Sequence, residues 1–424
     1  MDERTANIGD DRTIGHRLRR IRNDRRKSLR VVAGLAGISA SHLCRLENGK
    51  RSLDRRSLVV ALANALQIAP SELTSLPIPA PGDGGTDAAV QAVRRALVAA
   101  SRNRIHGEPV PLDVLQRRVQ QIRESRRHCG FGVVGEELPG LIRDIHSTIA
   151  AGNDVQALAE LAVVVHVHVT LMWLRDSGAS VDLRWQAAAL AQGLAEQIGD
   201  ATSLGVAAYG SANALLASGA FDLAAYELDS LTLPPTTADT AGMIGMVSMT
   251  RSLIAMADKR PGDVAAPMQA AKELADRFGE PDDIHDRLGF GFGPTNVGLW
   301  EMALALEAGE PDRAVGIAQL IQPERHPFKT RQSAYWLDYG RALVRLPRRT
   351  NDAVMALRKA ERLFPIRVQR NPFVRDILAE LVPRSKQDAV GRELRGMAYR
   401  AGLLVWVWLF LSDAHAACGT WLSA

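Results

Sequence analysis

The sequence predicts an all-α protein: a small N-terminal unit of five helices, followed by a long array of helix hairpins. Three observations predict it. The chain of 424 residues is rich in Ala, Leu, Val and Arg, and aromatic residues make up only 5% of it, a composition that favours helices over sheets. Apolar residues recur at helical spacing in segments of about 12–20 residues, broken by Gly, Asp and Pro. Three of these breaks look alike, "SGAFDLA" (Ser218–Ala224), "AGEPDRA" (Ala308–Ala314) and "LPRRTNDA" (Leu346–Ala353), and "KRPGDVA" (Lys259–Ala265) is a looser fourth.

The N-terminal elements follow in order. Ile14, Leu18 and Ile21 share one face of a first helix over Thr13–Arg25, with Thr13 as its N-cap. Ser28–Ala36 is a second helix, stopped by Gly37, where a turn needs a positive φ. Ser39 caps a third helix that runs to Leu46, and "NGK" (Asn48–Lys50) is a turn. Leu53–Leu66 reads as a fourth helix and Pro70–Leu73 opens a fifth. The Pro- and Gly-rich, almost uncharged "PIPAPGDGG" (Pro77–Gly85) reads as a linker. The expected organisation is therefore a first domain over residues 12–76, a linker at 77–85, a helical-repeat domain over 86–402 and an apolar tail at 403–424.

Two helices joined by a short Gly-containing turn form a helix-turn-helix, whose second helix enters the major groove of DNA. Val32, Ala33, Leu35, Ile38, Leu43 and Leu46 are expected to make one core with Leu18 and Ile21. Ala40, Ser41, His42, Cys44 and Arg45 are left outside. The charge distribution agrees with a polyanion partner. Between Arg12 and Leu76 there are fourteen Lys and Arg against four Asp and Glu, whereas the rest of the chain from Pro77 is close to neutral.

The pattern "SLRVVAGLAGIS", "HLCRLENGKR" and "LVVALANALQIAPSEL" resembles the Cro/repressor-type (XRE family) helix-turn-helix domain over about Ile14 to Leu76. The resemblance implies base contacts from Ala40, Ser41 and Arg45, of which an Arg can pair bidentately with guanine. It implies phosphate contacts from Arg30, Asn48, Lys50 and Arg51, and an ion pair between Arg22 and Glu47 that fixes the first helix against the third. Two positions depart from the family's pattern: Leu29 stands where Gln is frequent, and Lys27 where an apolar residue is usual.

Beyond the linker, Ala224, Ala265, Ala314 and Ala353 open successive helices at separations of 41, 49 and 39 residues. Such an irregular hairpin repeat stacks into an α-solenoid. In "AYWLDYGRALVRLPRRTNDAVMALRKAERLFP", Trp336, Gly340 and Leu343 face Ala353, Leu357 and Ala360, and the unit resembles a tetratricopeptide repeat with one extra residue in its turn. "FGPTNV" and "RVQRNPFVRDIL" (Arg367–Leu378) resemble recurring segments of bacterial XRE regulators whose second domain is tetratricopeptide-like. In "GFGFGPTN" (Gly289–Asn296), Phe290, Phe292 and Asn296 are candidate ligand-face residues; the alternative is an inter-repeat loop that plugs the core.

"HVH" (His166–His168) has no Asp, Cys or third His at ligand spacing, so core or interface histidines are expected and no metal. No Ser-His-Asp order, phosphate loop or paired carboxylate stands out, so neither an enzyme nor a cofactor is expected. The three cysteines lie far apart, the N-terminus is polar, and the apolar run Leu403–Leu411 is too short to span a bilayer; the expectation is a cytoplasmic protein without a membrane partner. Together these features point to a transcription regulator that binds double-stranded operator DNA as a homodimer. Its repeat domain would sense a peptide, small molecule or protein. The alternative is a helical-repeat interaction scaffold with a vestigial helix-turn-helix.

Overall fold

The computed structural model describes residues 13–74, 84–105, 107–229, 231, 233–281 and 286–403. The protein is all-α, with no strand among the described residues. The first unit contains α1 (Ile14–Asp24), α2 (Leu29–Ala36), α3 (Ala40–Glu47), α4 (Arg56–Leu66) and α5 (Pro70–Thr74). Thr13, Ser28 and Ser39 cap α1, α2 and α3 through their hydroxyls, and Gly37 ends α2 at φ 71°. Val32, Ala33, Leu43 and Leu46 are buried with Leu18, and Ile21 and Ile38 pack at the edge of this core.

Three boundaries or core assignments differ from the sequence reading. Leu35 is 64% exposed, because the 100° helical step puts Val32, Ala33 and Ala36 inward and turns Leu35 out with Val31. The fourth helix starts at Arg56 and not at Leu53, whose backbone N–H is taken by a carboxylate of the second domain. Gly84 and Gly85 belong to the first turn of the next helix, so the linker shortens at its C-terminal end; its residues 77–83 lie outside the described residues. The tail at 404–424 also lies outside them.

The second unit continues with α6 (Gly84–Ser101), α7 (Leu112–Arg127), α8 (Phe131–Ala150) and α9 (Val155–Val164). A π-helical stretch, Val165–Leu171, joins α9 to α10 (Met172–Asp176). Then come α11 (Val181–Ile198), α12 (Ala201–Ser218), α13 (Phe221–Asp229), α14 (Ala238–Ala257), α15 (Ala265–Phe278), α16 (Pro294–Ala308), α17 (Pro311–Leu320), α18 (Lys329–Val344), α19 (Thr350–Leu363), α20 (Pro365–Gln369), α21 (Pro372–Leu381) and α22 (Ala389–Arg400). From α12 onward the helices pack in pairs, α12 with α13, α14 with α15, α16 with α17, α18 with α19, and the first helix of each pair also touches the first helix of the next. Of these first helices α12, α14 and α16 are apolar on most faces, and α14 buries residues all round its circumference. Val155–Asp176 and Ala238–Ala257 are long and apolar enough to cross a membrane, but most of each is buried inside the protein.

The first unit rests on the second at the edge where the first helices of the pairs end. Three of those ends contribute, and each runs into one of the three turns that look alike in the sequence. A Cβ on Gly219, after α12, would sit 2.7 Å from Val60, so only Gly lets α4 come this close. Glu307, at the end of α16, accepts from the backbone N–H groups of Arg56 (3.1 Å) and Ser57 (2.8 Å) and from the Ser57 hydroxyl (2.7 Å). Arg345, after α18, pairs with Asp54 at 2.6 Å and with Glu380 at 3.0 Å. On α21, Asp376 accepts from Ile14 N (3.0 Å) and Leu53 N (2.6 Å), and Glu380 accepts from Ser52 N (2.7 Å).

Candidate nucleic-acid interface

Beside this docking surface, helix α3 and the turn after it stay open at the surface of the first unit. Helix α3 buries Leu43, Leu46 and Glu47 and turns Ser41, Cys44 and Arg45 outward. Among the residues expected to meet bases, Ser41 and Arg45 are exposed, while Ala40 is half-buried against the core and offers only its edge. The Arg45 guanidinium has no hydrogen bond or ion pair among the described residues. The same holds for the side chains of Arg30, Lys50 and Arg51, all exposed. Asn48 is exposed as well, but it is engaged: its amide donates to the Cys44 carbonyl at 2.7 Å and its Oδ1 accepts from Arg19 at 3.2 Å. Burial, followed by the charges of Arg45, Arg51 and Arg55, holds the His42 imidazole below its usual range. Burial and the charge of Arg345 similarly lower Arg51.

The pair that orients α3 is closed on both sides. Arg22 Nε lies 2.6 Å and Nη2 2.8 Å from the two carboxylate oxygens of Glu47, a two-pronged contact with side chains only 12% and 3% exposed. Arg22 also donates to the Lys27 carbonyl at 3.0 Å, and the Glu47 hydrogen bond holds its guanidinium above the ordinary range. Lys27, the residue that departs from the family pattern, has a role here: its ammonium donates to the Ala65 carbonyl at 2.6 Å, in the last turn of α4. A cation there meets the negative end of the helix.

The second domain adds to this surface. Arg384 donates to the Lys50 carbonyl at 2.9 Å with its side chain 58% exposed, placing one more cation beside the turn after α3. Sequence reasoning missed Arg384 and also the docking carboxylates Glu307, Asp376 and Glu380. Nothing in their spacing announces them, since each partner is more than 240 residues away.

The other candidate residues are inside the protein. Phe290 and Phe292 are 2% and 6% exposed, Phe290 edge-on to His168 and Tyr209, and Asn296 is fully buried and donates to the Gly291 carbonyl at 2.9 Å. All three side chains are packed in the interior. His166 and His168 are core residues in the π-helical stretch. The Nε2 atoms of His146 and His166 are 2.9 Å apart, and burial pushes His146 down to about 4. Among the described residues no group of three or more His, Cys, Asp or Glu could hold a metal ion.

Comparison with known proteins agrees with this geometry. Residues 13–76 match the helix-turn-helix domain family. Over 56 residues the chain is 36% identical to the HTH-type transcriptional repressor RghR of Bacillus subtilis (strain 168), a stretch that makes up 13% of this chain and 42% of that protein. No solved structure matches. The N-terminal unit is a helix-turn-helix domain of the kind found in DNA-binding regulators.

Proposed function

We propose that the protein is a cytoplasmic, sequence-specific transcription regulator that binds operator DNA as a homodimer under the control of its tetratricopeptide-like domain. The observation that carries this reading is the division of the first domain into two faces. One is held by carboxylates of the second domain, and the other presents Arg45 and Ser41 between Arg30 and the Lys50–Arg51 pair, none of these cations having a hydrogen bond or ion pair from its side chain among the described residues. A long donor at the centre of a short-side-chain helix face, flanked by free cations, suits base readout framed by phosphate contacts. One such domain covers half a site, so two chains would act on a palindrome. The hairpin-on-hairpin packing supports the repeat reading. No catalytic role is assigned.

Genome-wide footprinting of the full chain tests this, followed by titration of recovered sites across a range of salt. The expected result is a shared palindromic sequence bound with a steep salt dependence. Occupancy that follows no sequence would leave the interaction-scaffold reading.

A further inference from the structure

Helix α21 meets the first unit along one face, at four-residue steps. Asp376 accepts from Leu53 N at 2.6 Å and Glu380 from Ser52 N at 2.7 Å. Four residues further, in the short 3-10 turn Val382–Arg384, Arg384 donates to the Lys50 carbonyl at 2.9 Å. Residues four apart share a helix face, so the three contacts follow the first unit's chain from Leu53 back to Lys50. Burial changes along this row. Asp376 and Glu380 are buried, whereas the Arg384 side chain is more than half exposed. The inner two contacts lie inside the docking surface, and the outer one emerges beside the turn that follows α3.

Docking alone does not need that cation. The carbonyl needs a donor, which a neutral side chain also supplies. The ion pair of Arg384 with Glu380, at 3.5 Å and with the cation largely in solvent, adds little. Glu380 already accepts from Ser52 N and pairs with Arg345 at 3.0 Å, and Asp54 pairs with the same Arg345. Outside these pairs stand Lys50, Arg51, Arg384 and Lys386, all exposed. The Cα of Lys386 lies within about 7 Å of that of Arg384, two residues away. Asp388, the next acid along the chain, turns back to cap α22 by accepting from Gly391 N at 2.7 Å. The loop between is held firmly. Arg395 of α22 donates to the Ser385 hydroxyl at 3.1 Å and to the Lys386 carbonyl at 3.2 Å. A Cβ on Gly391 would overlap that carbonyl, so only Gly lets the loop lie this close to α22. Cations fixed beside the turn after a recognition helix suit phosphate oxygens, which position a protein on the duplex without reading its sequence.

We propose that the loop at residues 383–387 of the second unit belongs to the DNA-binding surface, with Arg384 and Lys386 touching backbone phosphates next to those met by Lys50 and Arg51. The inference rests on the reading of the first unit as a DNA-binding domain and extends that surface onto the second. Helix α3 reads bases, and the loop lengthens the phosphate track beside it. The arrangement also couples DNA to docking. A duplex that touches both units at once binds in full only when they are docked, so DNA binding and docking stabilise each other.

The test is titration of the full chain with a fluorescent duplex of mixed sequence across a range of salt. It needs no known operator, because phosphate contacts do not depend on sequence. Each phosphate contact adds about 0.9 to the slope of log affinity against log salt. Arg384→Gln keeps a donor for the Lys50 carbonyl but removes the charge, and it should flatten the slope by about 0.9. Adding Lys386→Gln should flatten it by about as much again. Arg384→Lys keeps the charge and should keep the natural slope. So should Arg362→Gln, which removes an exposed cation in the last turn of α19, away from the first unit. The natural slope in both Arg384→Gln and the double variant would overturn the proposal. So would an equal flattening by Arg362→Gln or by Arg384→Lys. A melting temperature several degrees lower in Arg384→Gln than in Arg384→Lys would make Arg384 a docking residue instead and overturn it as well. A natural chain that binds no duplex would sink the proposed function together with this inference; variants that match a natural chain that does bind would sink this inference alone.

Discussion

Replacing Asp376 by Asn separates the charge of the docking contact from its shape. Asp376 is 5% exposed, and its two oxygens accept backbone N–H groups from two different places in the helix-turn-helix domain. Burial outweighs these hydrogen bonds and raises the carboxyl to about 6, against 3.8 for an unburied one. A rise of about two units means that the ionised form costs about 3 kcal/mol at neutral pH. Asn removes that cost but turns an NH2 toward one of the two backbone donors, which leaves a buried N–H unsatisfied at about 1–3 kcal/mol. The two terms nearly cancel, so the variant should be close to the natural protein at pH 7.

The difference appears on acidification. A carboxyl raised in the folded state keeps a proton that the unfolded chain has released between about 6 and 3.8, so its contribution to stability grows as pH falls through that window. From pH 7 to pH 5 the natural protein should gain about 1 kcal/mol at this contact, and Asp376→Asn should gain none. Asp286, also raised to about 6 by burial, follows the same sign in both proteins and drops out of the comparison. Hydrogen exchange at the amides of Ile14 and Leu53, corrected for intrinsic rates, reads the contact locally. Equal pH slopes in the two proteins would refute the reasoning. So would a variant weaker by more than about 3 kcal/mol at pH 7, which would mean that the charge itself holds the domains together.

Three further outcomes follow from the first domain. Arg45→Ala should lose about 1–3 kcal/mol of preference for its operator over a mutated one, measured by competition binding, with the melting temperature unchanged. Lys50→Ala and Arg51→Ala should weaken all DNA about equally and flatten the salt dependence; a loss confined to one sequence would make them base-reading residues. Glu47→Gln should destabilise the domain by about 3–5 kcal/mol, since it strands the Arg22 charge, and the double replacement Arg22→Met with Glu47→Leu should restore much of that loss in urea titrations.

The helix-turn-helix was legible because its signals are local. Thr13, Ser28 and Ser39 cap the helices that follow them, Gly37 turns, and Arg22 meets Glu47 within one small core. Leu35 was misjudged because an apolar residue in a short helix does not say which side it takes, and eight residues give the helical period little chance to do so. Lys27 could not be understood from its neighbours, since the carbonyl it satisfies is 38 residues away. The docking carboxylates Glu307, Asp376 and Glu380 were invisible for the same reason on a larger scale, because the backbone donors they meet lie more than 240 residues away.

The capping pattern ties the two domains more closely than a linker would. Helices α2 and α3, which face the proposed DNA surface, are capped by their own serines. Helix α4 has no side-chain cap of its own, because Arg55 stands at its N-cap position, and Glu307 of the second domain supplies the acceptors. Asp376 and Glu380 likewise take the backbone donors of Ile14, Ser52 and Leu53. A missing cap costs about 1 kcal/mol, and several unsatisfied donors cost more. The helices of the proposed DNA surface therefore keep their own shape, while the frame behind them depends on the second unit. In a dimer, the distance between the two recognition helices would be set by this docking together with the dimer contact. Any event that shifts the ends of α16 and α18 or helix α21 would change that distance, and half-sites must lie about 34 Å apart, or a multiple of it, for both helices to engage.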